Sequence, residues 1–190
     1  MRKYKIIYAD PPWDYGAGSF PSVSKTNAYP LMRTEDICAL PVASITHPDA
    51  LLFLWATMPK LPDAFRVIEA WGFRYVSNGF TWVKTYPGNG NVCVGMGYWT
   101  RQNAELCLVA KRGRPMRRDK AVSSVVISPR GVHSAKPAIV RDAIVRIAGD
   151  LPRVELFART KAPGWDIWGN ELINDIDLAH VESERMMEAV

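Results

Sequence analysis

Asp10, Pro11, Pro12 and Trp13 stand together at the end of an apolar run, Tyr4 to Ala9, and their chemistry suits one kind of ligand. Two consecutive prolines fix φ and offer no N–H, so the chain cannot pair onward as a strand. Their carbonyls are left as acceptors beside the Asp10 carboxylate, and Trp13 adds a flat apolar face. An acidic acceptor, an undonated carbonyl and a stacking ring together fit a planar base that carries an exocyclic amine. The plainer alternative is a proline-rich turn with a half-buried Trp. The strand before it and the Asp at the junction favour a site, because open α/β sheets bind ligands at the carboxyl ends of their strands. Asp10, Pro11, Pro12 and Trp13 are therefore the candidate catalytic residues, with Trp82 and Trp99 as further stacking candidates for which core roles are favoured.

Lys136 stands just before a helical pattern. A cation there has the wrong sign for a purely structural choice, whereas the helix dipole and the lysine together favour a bound carboxylate. No Gly-x-Gly-x-x-Gly occurs, so there is no dinucleotide or phosphate fingerprint.

The elements that must position these residues alternate between strand and helix. Tyr4–Ala9 and Ala50–Ala56 are continuous apolar runs of strand length, as expected of strands buried on both faces. Thr34 is expected to cap a short helix reaching about Leu40. Pro59 to Trp71 has helical apolar spacing, closed by Gly72. Phe73–Val76 and Gly79–Lys84 read as a strand pair or one long bent strand, with further strands at 103–111, 123–128 and 154–158. Pro137 opens a helix with apolar face Ile139, Val140, Ala143, Ile144 and Ile147, ending at Gly149. The result is an α/β fold with a largely parallel sheet covered on both faces. Residues 14–25 form a loop placed as a lid, and 87–98 a second, Gly-rich loop. Residues 1–171 are read as one domain and 172–190 as a tail with a short helix.

The 190 residues are 48% hydrophobic, enough for one real core, and no stretch approaches the length of a membrane span. Met1-Arg2-Lys3 leads straight into the first strand, with no signal peptide expected. Cys38, Cys93 and Cys107 are odd in number and widely spaced, and the three histidines make no ligand spacing with them. Reduced thiols and no metal are expected. The net charge of +5 favours a polyanionic partner, and segment 111–120 holds most of the local excess. Lys111, Arg112, Arg114, Arg117 and Arg118, together with Lys84, are the candidate nucleic-acid contacts, although a charge run is often only a solvated surface.

The tetrapeptide Asp-Pro-Pro-Trp after a hydrophobic strand is similar to that of the amino-methyltransferases. Further blocks narrow the likeness: Leu52–Trp55, Thr81–Thr85, Glu105–Val109, His133–Pro137, Glu155–Arg159 and Trp168–Glu171. In order and spacing the chain resembles the MT-A70 family of adenine methyltransferases over about positions 4–172, in particular its compact bacterial and phage branch acting on DNA. The resemblance implies a Rossmann-like S-adenosylmethionine-dependent methyltransferase fold with an antiparallel strand at one edge. It also implies permuted motif order, the catalytic tetrapeptide preceding the cofactor strand. S-adenosyl-L-methionine is the implied cofactor. Lys136 would bind its methionine carboxylate, and Arg159, Asn170 and Glu171, with Asp10, would hold the rest. The family's further adenine contact precedes the catalytic strand, so the cofactor's adenine slot is assigned only in part.

By the same resemblance the expected reaction is methyl transfer to the exocyclic amine of adenine, with DNA favoured over RNA, relaxed or short sequence specificity, a cytoplasmic bacterial or phage setting and no membrane. A homodimer is allowed. An RNA adenosine methyltransferase or a non-catalytic nucleic-acid-binding partner subunit are the alternatives, and Asp10, Lys136 and Arg159 together argue against a subunit that has lost its chemistry. A protein glutamine amide is a third acceptor, disfavoured by Asp at 10 and Trp at 13.

Overall fold

The computed structural model describes residues 2–16, 30–95, 97, 99–131 and 135–178. The expected lid after Trp13 lies largely outside these residues. So do His133, Ser134 and the chain beyond 178, where most of the expected tail helix falls.

The apolar runs become seven strands: β1 (Tyr4–Ala9), β2 (Thr46–Ala56), β3 (Arg74–Thr85), β4 (Ala104–Arg112), β5 (Val125–Pro129), β6 (Arg153–Leu156) and β7 (Asp166–Trp168). They form one sheet in the order β5-β3-β4-β2-β1-β6-β7. All pairings are parallel except those of β4 with β2 and β3, so β4 alone runs against the rest. The family resemblance placed the antiparallel strand at an edge; here it lies inside the sheet. The reason is connectivity: β3 arrives by a helical crossover one place beyond β2, and the chain then turns straight back to fill the gap. β3 is the single long bent strand, with register shifts between Tyr75 and Ser77 and between Asn78 and Phe80.

Four α-helices are described: α1 (Thr34–Ala39), α2 (Val42–Ile45), α3 (Leu61–Ala70) and α4 (Ala138–Ala148). Alternation along β1 and β2 divides the core. Ile7, Ala9, Leu52 and Leu54 face α1 and α3 through Ile37, Ala64, Val67 and Ile68. Ile6, Tyr8, Phe53 and Trp55 face α4 through Val140, Ile144 and Ala148. Burial of each Val, Leu, Ile or Phe side chain among these contributes about 1.5–3 kcal/mol. The buried stripe of α4 is rotated from the expected one, for Ile139 is 60% exposed and Ala148 takes its share of the core. Thr34 is the first residue of α1 rather than its cap. It is buried, with its side chain hydrogen-bonded to Asp63 of α3, and Arg33 precedes the helix and pairs with Asp36.

Residues 172–178 run back over the domain instead of leaving it. Asn174 Oδ1 accepts the Gly169 N–H (2.7 Å), Asp175 Oδ2 accepts that of Ile167 (3.0 Å), and Leu178 is buried in the core. No helix among the described residues is long and apolar enough to cross a membrane.

Candidate active site

β1 is flanked by β2 on one side and β6 on the other, so the chain departs from it in both directions. That is the switch point at which open α/β sheets leave a crevice. Asp10 follows β1 directly at this crevice, and the prolines after it are clipped in place. The Trp13 N–H donates to the Pro11 carbonyl (2.9 Å), and the Met32 N–H donates to the Pro12 carbonyl (2.8 Å). Both carbonyls expected to be free therefore accept one bond each, leaving a second lone pair on each oxygen. Trp13 differs from expectation more sharply. Its ring is 5% exposed and its indole Nε1–H donates to the Trp55 carbonyl (3.2 Å), so it anchors the turn in the core. Trp82 is buried as foreseen, whereas Trp99, for which a core role was favoured, is 99% exposed. Trp99 lies on the loop joining β3 to β4, at the same end of the sheet as Asp10.

Behind Asp10 runs a chain of alternating charges. Lys136 Nζ donates to Asp10 Oδ2 (2.7 Å) and stands 3.2 Å from Glu105 Oε2, whose other oxygen accepts from Lys84 Nζ. Lys136 lies over the Trp55 ring (5.4 Å) and Lys84 over that of Trp82 (4.9 Å). Burial pushes the Asp10 carboxyl up and Lys136 holds it down, with Glu105 adding to the rise and the net shift upward. Burial alone would lower Lys136, but Asp10 and Glu105 outweigh it and hold the ammonium above its ordinary value. Burial would raise Glu105; Lys136 and Lys84 reverse this and keep it below the usual range. The four groups sum to zero charge, the condition under which buried ions are tolerated.

Two elements deliver Lys136 and its partner to this place. Lys136 precedes α4, which is tied to β6 by the bidentate Arg141–Glu155 pair (2.6 and 2.7 Å). Glu105 stands near the start of β4, on the same face as buried Cys107. The sequence reading missed Glu105 as a site residue and put Lys84 on the nucleic-acid surface instead. The available signal was parity: a carboxylate at a core-facing position of an otherwise apolar strand needs a buried partner.

A cleft opens beside Asp10, lined by Pro12, Pro30, Phe157, Ala158, Arg159, Asn170 and Glu171 as well as Asp10 itself. Arg159 Nε lies 3.9 Å from Glu171 Oε1. Phe157 follows β6 with φ of 62°, in the left-handed region that side chains seldom adopt, and its ring meets Trp168 edge-on at 5.4 Å. The Ala158 N–H donates to the Trp168 carbonyl (3.0 Å), and a Cβ at Gly169 would run into the Ala158 carbonyl oxygen. Glycine at 169 thus lets the chain after β7 lie flush against the chain after β6, bringing Asn170 and Glu171 to Arg159.

The structure therefore gathers Asp10, Arg159, Asn170 and Glu171 around one cleft, with Lys136 reaching Asp10 from behind. It does not bring the basic residues there. Lys84 is engaged by Glu105, and Lys111 and Arg112 close β4 at the opposite end of the sheet.

Residues 4–171 match the MT-A70 family profile. The type II methyltransferase M.MunI of Mycoplasma sp. is 34% identical over 190 aligned positions, which cover 90% of this chain and 78% of that protein. The putative N(6)-adenosine-methyltransferase MT-A70-like protein of Medicago truncatula is 31% identical, and the N(6)-adenosine-methyltransferase catalytic subunit METTL3 of Homo sapiens 26%. Each match covers 90% of this chain but only 27% and 29% of those longer proteins, so the chain spans little more than a quarter of their length. With the profile running over nearly all of the sheet and through both ends of the cleft, the chain belongs to the MT-A70 family of methyltransferases.

Proposed function

We propose that the protein is an S-adenosylmethionine-dependent methyltransferase that modifies the exocyclic amino group of adenine in DNA. The observation that carries the reading is the shared cleft: the Asp10 carboxylate opens onto the same space as Arg159, Asn170 and Glu171. This donor set fits the cofactor. Asp10 and Glu171 accept from an ammonium or ribose hydroxyls, Arg159 and Asn170 can donate, and Phe157 and Pro30 offer apolar walls. Bound there, S-adenosylmethionine supplies an electrophilic methyl group. The strand bearing Asp10 precedes the strand leading to Arg159, in keeping with permuted motif order.

The amine of adenine is a poor nucleophile because its lone pair is delocalised into the ring. Asp10, with the remaining lone pair of the Pro11 carbonyl, accepts the amine hydrogens and turns the nitrogen toward the methyl carbon. Asp10 also meets the positive charge that grows on the nitrogen as the methyl–sulfur bond breaks, with the neutral thioether as leaving group, and it takes the surplus amine proton for release to solvent. This is catalysis by positioning and fixed charge, and it needs no strong base. Lys136, bonded to Asp10 and Glu105, keeps the carboxylate oriented. Trp99 is, among the described residues, the exposed ring at this end for a base taken out of its helix. DNA is favoured over RNA because the match takes in 78% of the Mycoplasma type II enzyme, whereas the adenosine methyltransferases are matched over little more than a quarter of their length.

The test is incubation with cofactor and either DNA or RNA, followed by digestion to nucleosides. N6-methyldeoxyadenosine from DNA is the expected product. Methylcytosine, or methylation of RNA alone, would overturn the reading.

A further inference from the structure

We propose that the end of the sheet opposite the cleft is a docking surface for the phosphate backbone of duplex DNA, separate from the place where the acceptor base is handled. The proposal rests on the DNA reading above and adds where the polyanion is held.

The charge count singles out this end. The chain has 24 Lys and Arg against 19 Asp and Glu, and segment 111–120 contains six of the cations and one of the acids. The other 180 residues therefore carry 18 of each and are neutral, so the whole net charge of +5 resides on ten residues. β4 carries that segment away from the cleft. Glu105, its second residue, stands beside Lys136, while Arg112, its last, lies roughly 23 Å further along the strand at 3.3 Å per residue.

The segment is also built rather than loose. Gly113, at φ of 62°, turns it against Pro48 and Asp49, where the Arg114 N–H donates to Asp49 Oδ1 (2.7 Å). The Arg118 N–H donates to the Ile147 carbonyl near the end of α4 (2.7 Å). Asp119, the segment's one acid, is engaged by Arg146 (2.6 Å) and by the Ala121 N–H (2.7 Å). Arg114, Arg117, Arg118 and Lys120 are left exposed, and among the described residues none of them makes an ion pair. A fixed array of exposed cations, none of them held in an ion pair among the described residues, suits a row of phosphates. A straight duplex lying on it does not reach Asp10, so this surface works as a tether that retains the enzyme on DNA without selecting a sequence.

The experiment uses the full chain with Arg114→Gln, Arg117→Gln, Arg118→Gln and Lys120→Gln combined, its fold verified by circular dichroism and melting. Binding of a duplex of about 30 base pairs is followed from roughly 50 to 200 mM salt; the slope of log K against log salt should flatten by about 2–4, near 0.9 for each phosphate that is no longer neutralised. Turnover of a trinucleotide acceptor, too short to span both ends, should match the parent. Unchanged duplex affinity and slope would overturn the proposal, leaving the segment as solvated surface or as a site for an acidic protein. Equal loss with the trinucleotide would overturn the separation of the two ends. If the fourfold variant does not fold, Arg117→Glu with Lys120→Glu serves the same measurements. Should the parent methylate no DNA at all, the reaction assigned above fails, while the duplex-binding comparison still decides the tether.

Discussion

On the proposed reading Asp10 has to be ionised to draw hydrogens from an amine, and its ionisation depends on Lys136. Burial and Glu105 push the Asp10 carboxyl up, and Lys136 opposes them. Removing the ammonium leaves those upward influences opposed only by the weaker pull of Arg159, so Lys136→Ala should move the acid limb of the kcat–pH profile to higher pH. A profile falling at the parent's pH would refute that coupling. The same variant separates two roles for the lysine. If it mainly serves Asp10, calorimetric titration with S-adenosylhomocysteine should show less than about a tenfold loss of affinity, under about 1.4 kcal/mol. If it mainly binds the cofactor carboxylate, as the family resemblance implied, the loss should be about 1.5–3 kcal/mol. Asp10→Asn should cut turnover severely with the fold intact, and near-normal methylation by it would remove Asp10 from the mechanism. Glu105→Ala leaves Lys84 without its carboxylate and Lys136 with Asp10 alone, and should cost about 3 kcal/mol in urea unfolding. Because Glu105 titrates below the usual carboxylate range, its contribution is complete above that range and is lost as pH falls through its depressed value. Asp10 was legible because it stands where an apolar strand ends, whereas Arg159, Asn170 and Glu171 came from the family resemblance and not from any pattern in the chain. Which tryptophan is exposed was not legible, since Trp13 is covered by Met32 and Trp55, far away in sequence.

At the scale of elements, the cleft depends on two short strands lying flush. Gly169→Ala should push the chain after β7 off Ala158, costing about 1–3 kcal/mol of stability as overpacking does. It should also weaken S-adenosylhomocysteine binding through Asn170 and Glu171; a variant with parental affinity would show that the close approach does not shape the cleft. β1 was legible to the residue because apolar character ends abruptly at a charged residue and two prolines. β7 was not: three residues are too few to show a period, and Ile167 is held by pairing with Glu155 across the sheet. The interior place of β4 was hidden for a related reason. Its apolar run announces a buried strand but not its direction, which is set by the hairpin return from β3.

At the scale of the whole molecule, composition could favour a polyanionic partner but not say where one would bind. The basic run reads identically in sequence whether β4 carries it toward Asp10 or away, and only the antiparallel course of β4 decides the matter. That geometry has a consequence for motion. A body whose surplus charge sits at one extremity is an electric dipole, and in the field of a polyphosphate rod it turns before it touches. On the proposed tether, first encounters with DNA then occur with the cleft facing outward, into solution. A base presented to that outward face belongs to another stretch of the polymer, looped back or passing by. The enzyme so oriented would modify DNA across a gap between neighbouring segments, and its rate would rise with how densely the polymer is folded on itself.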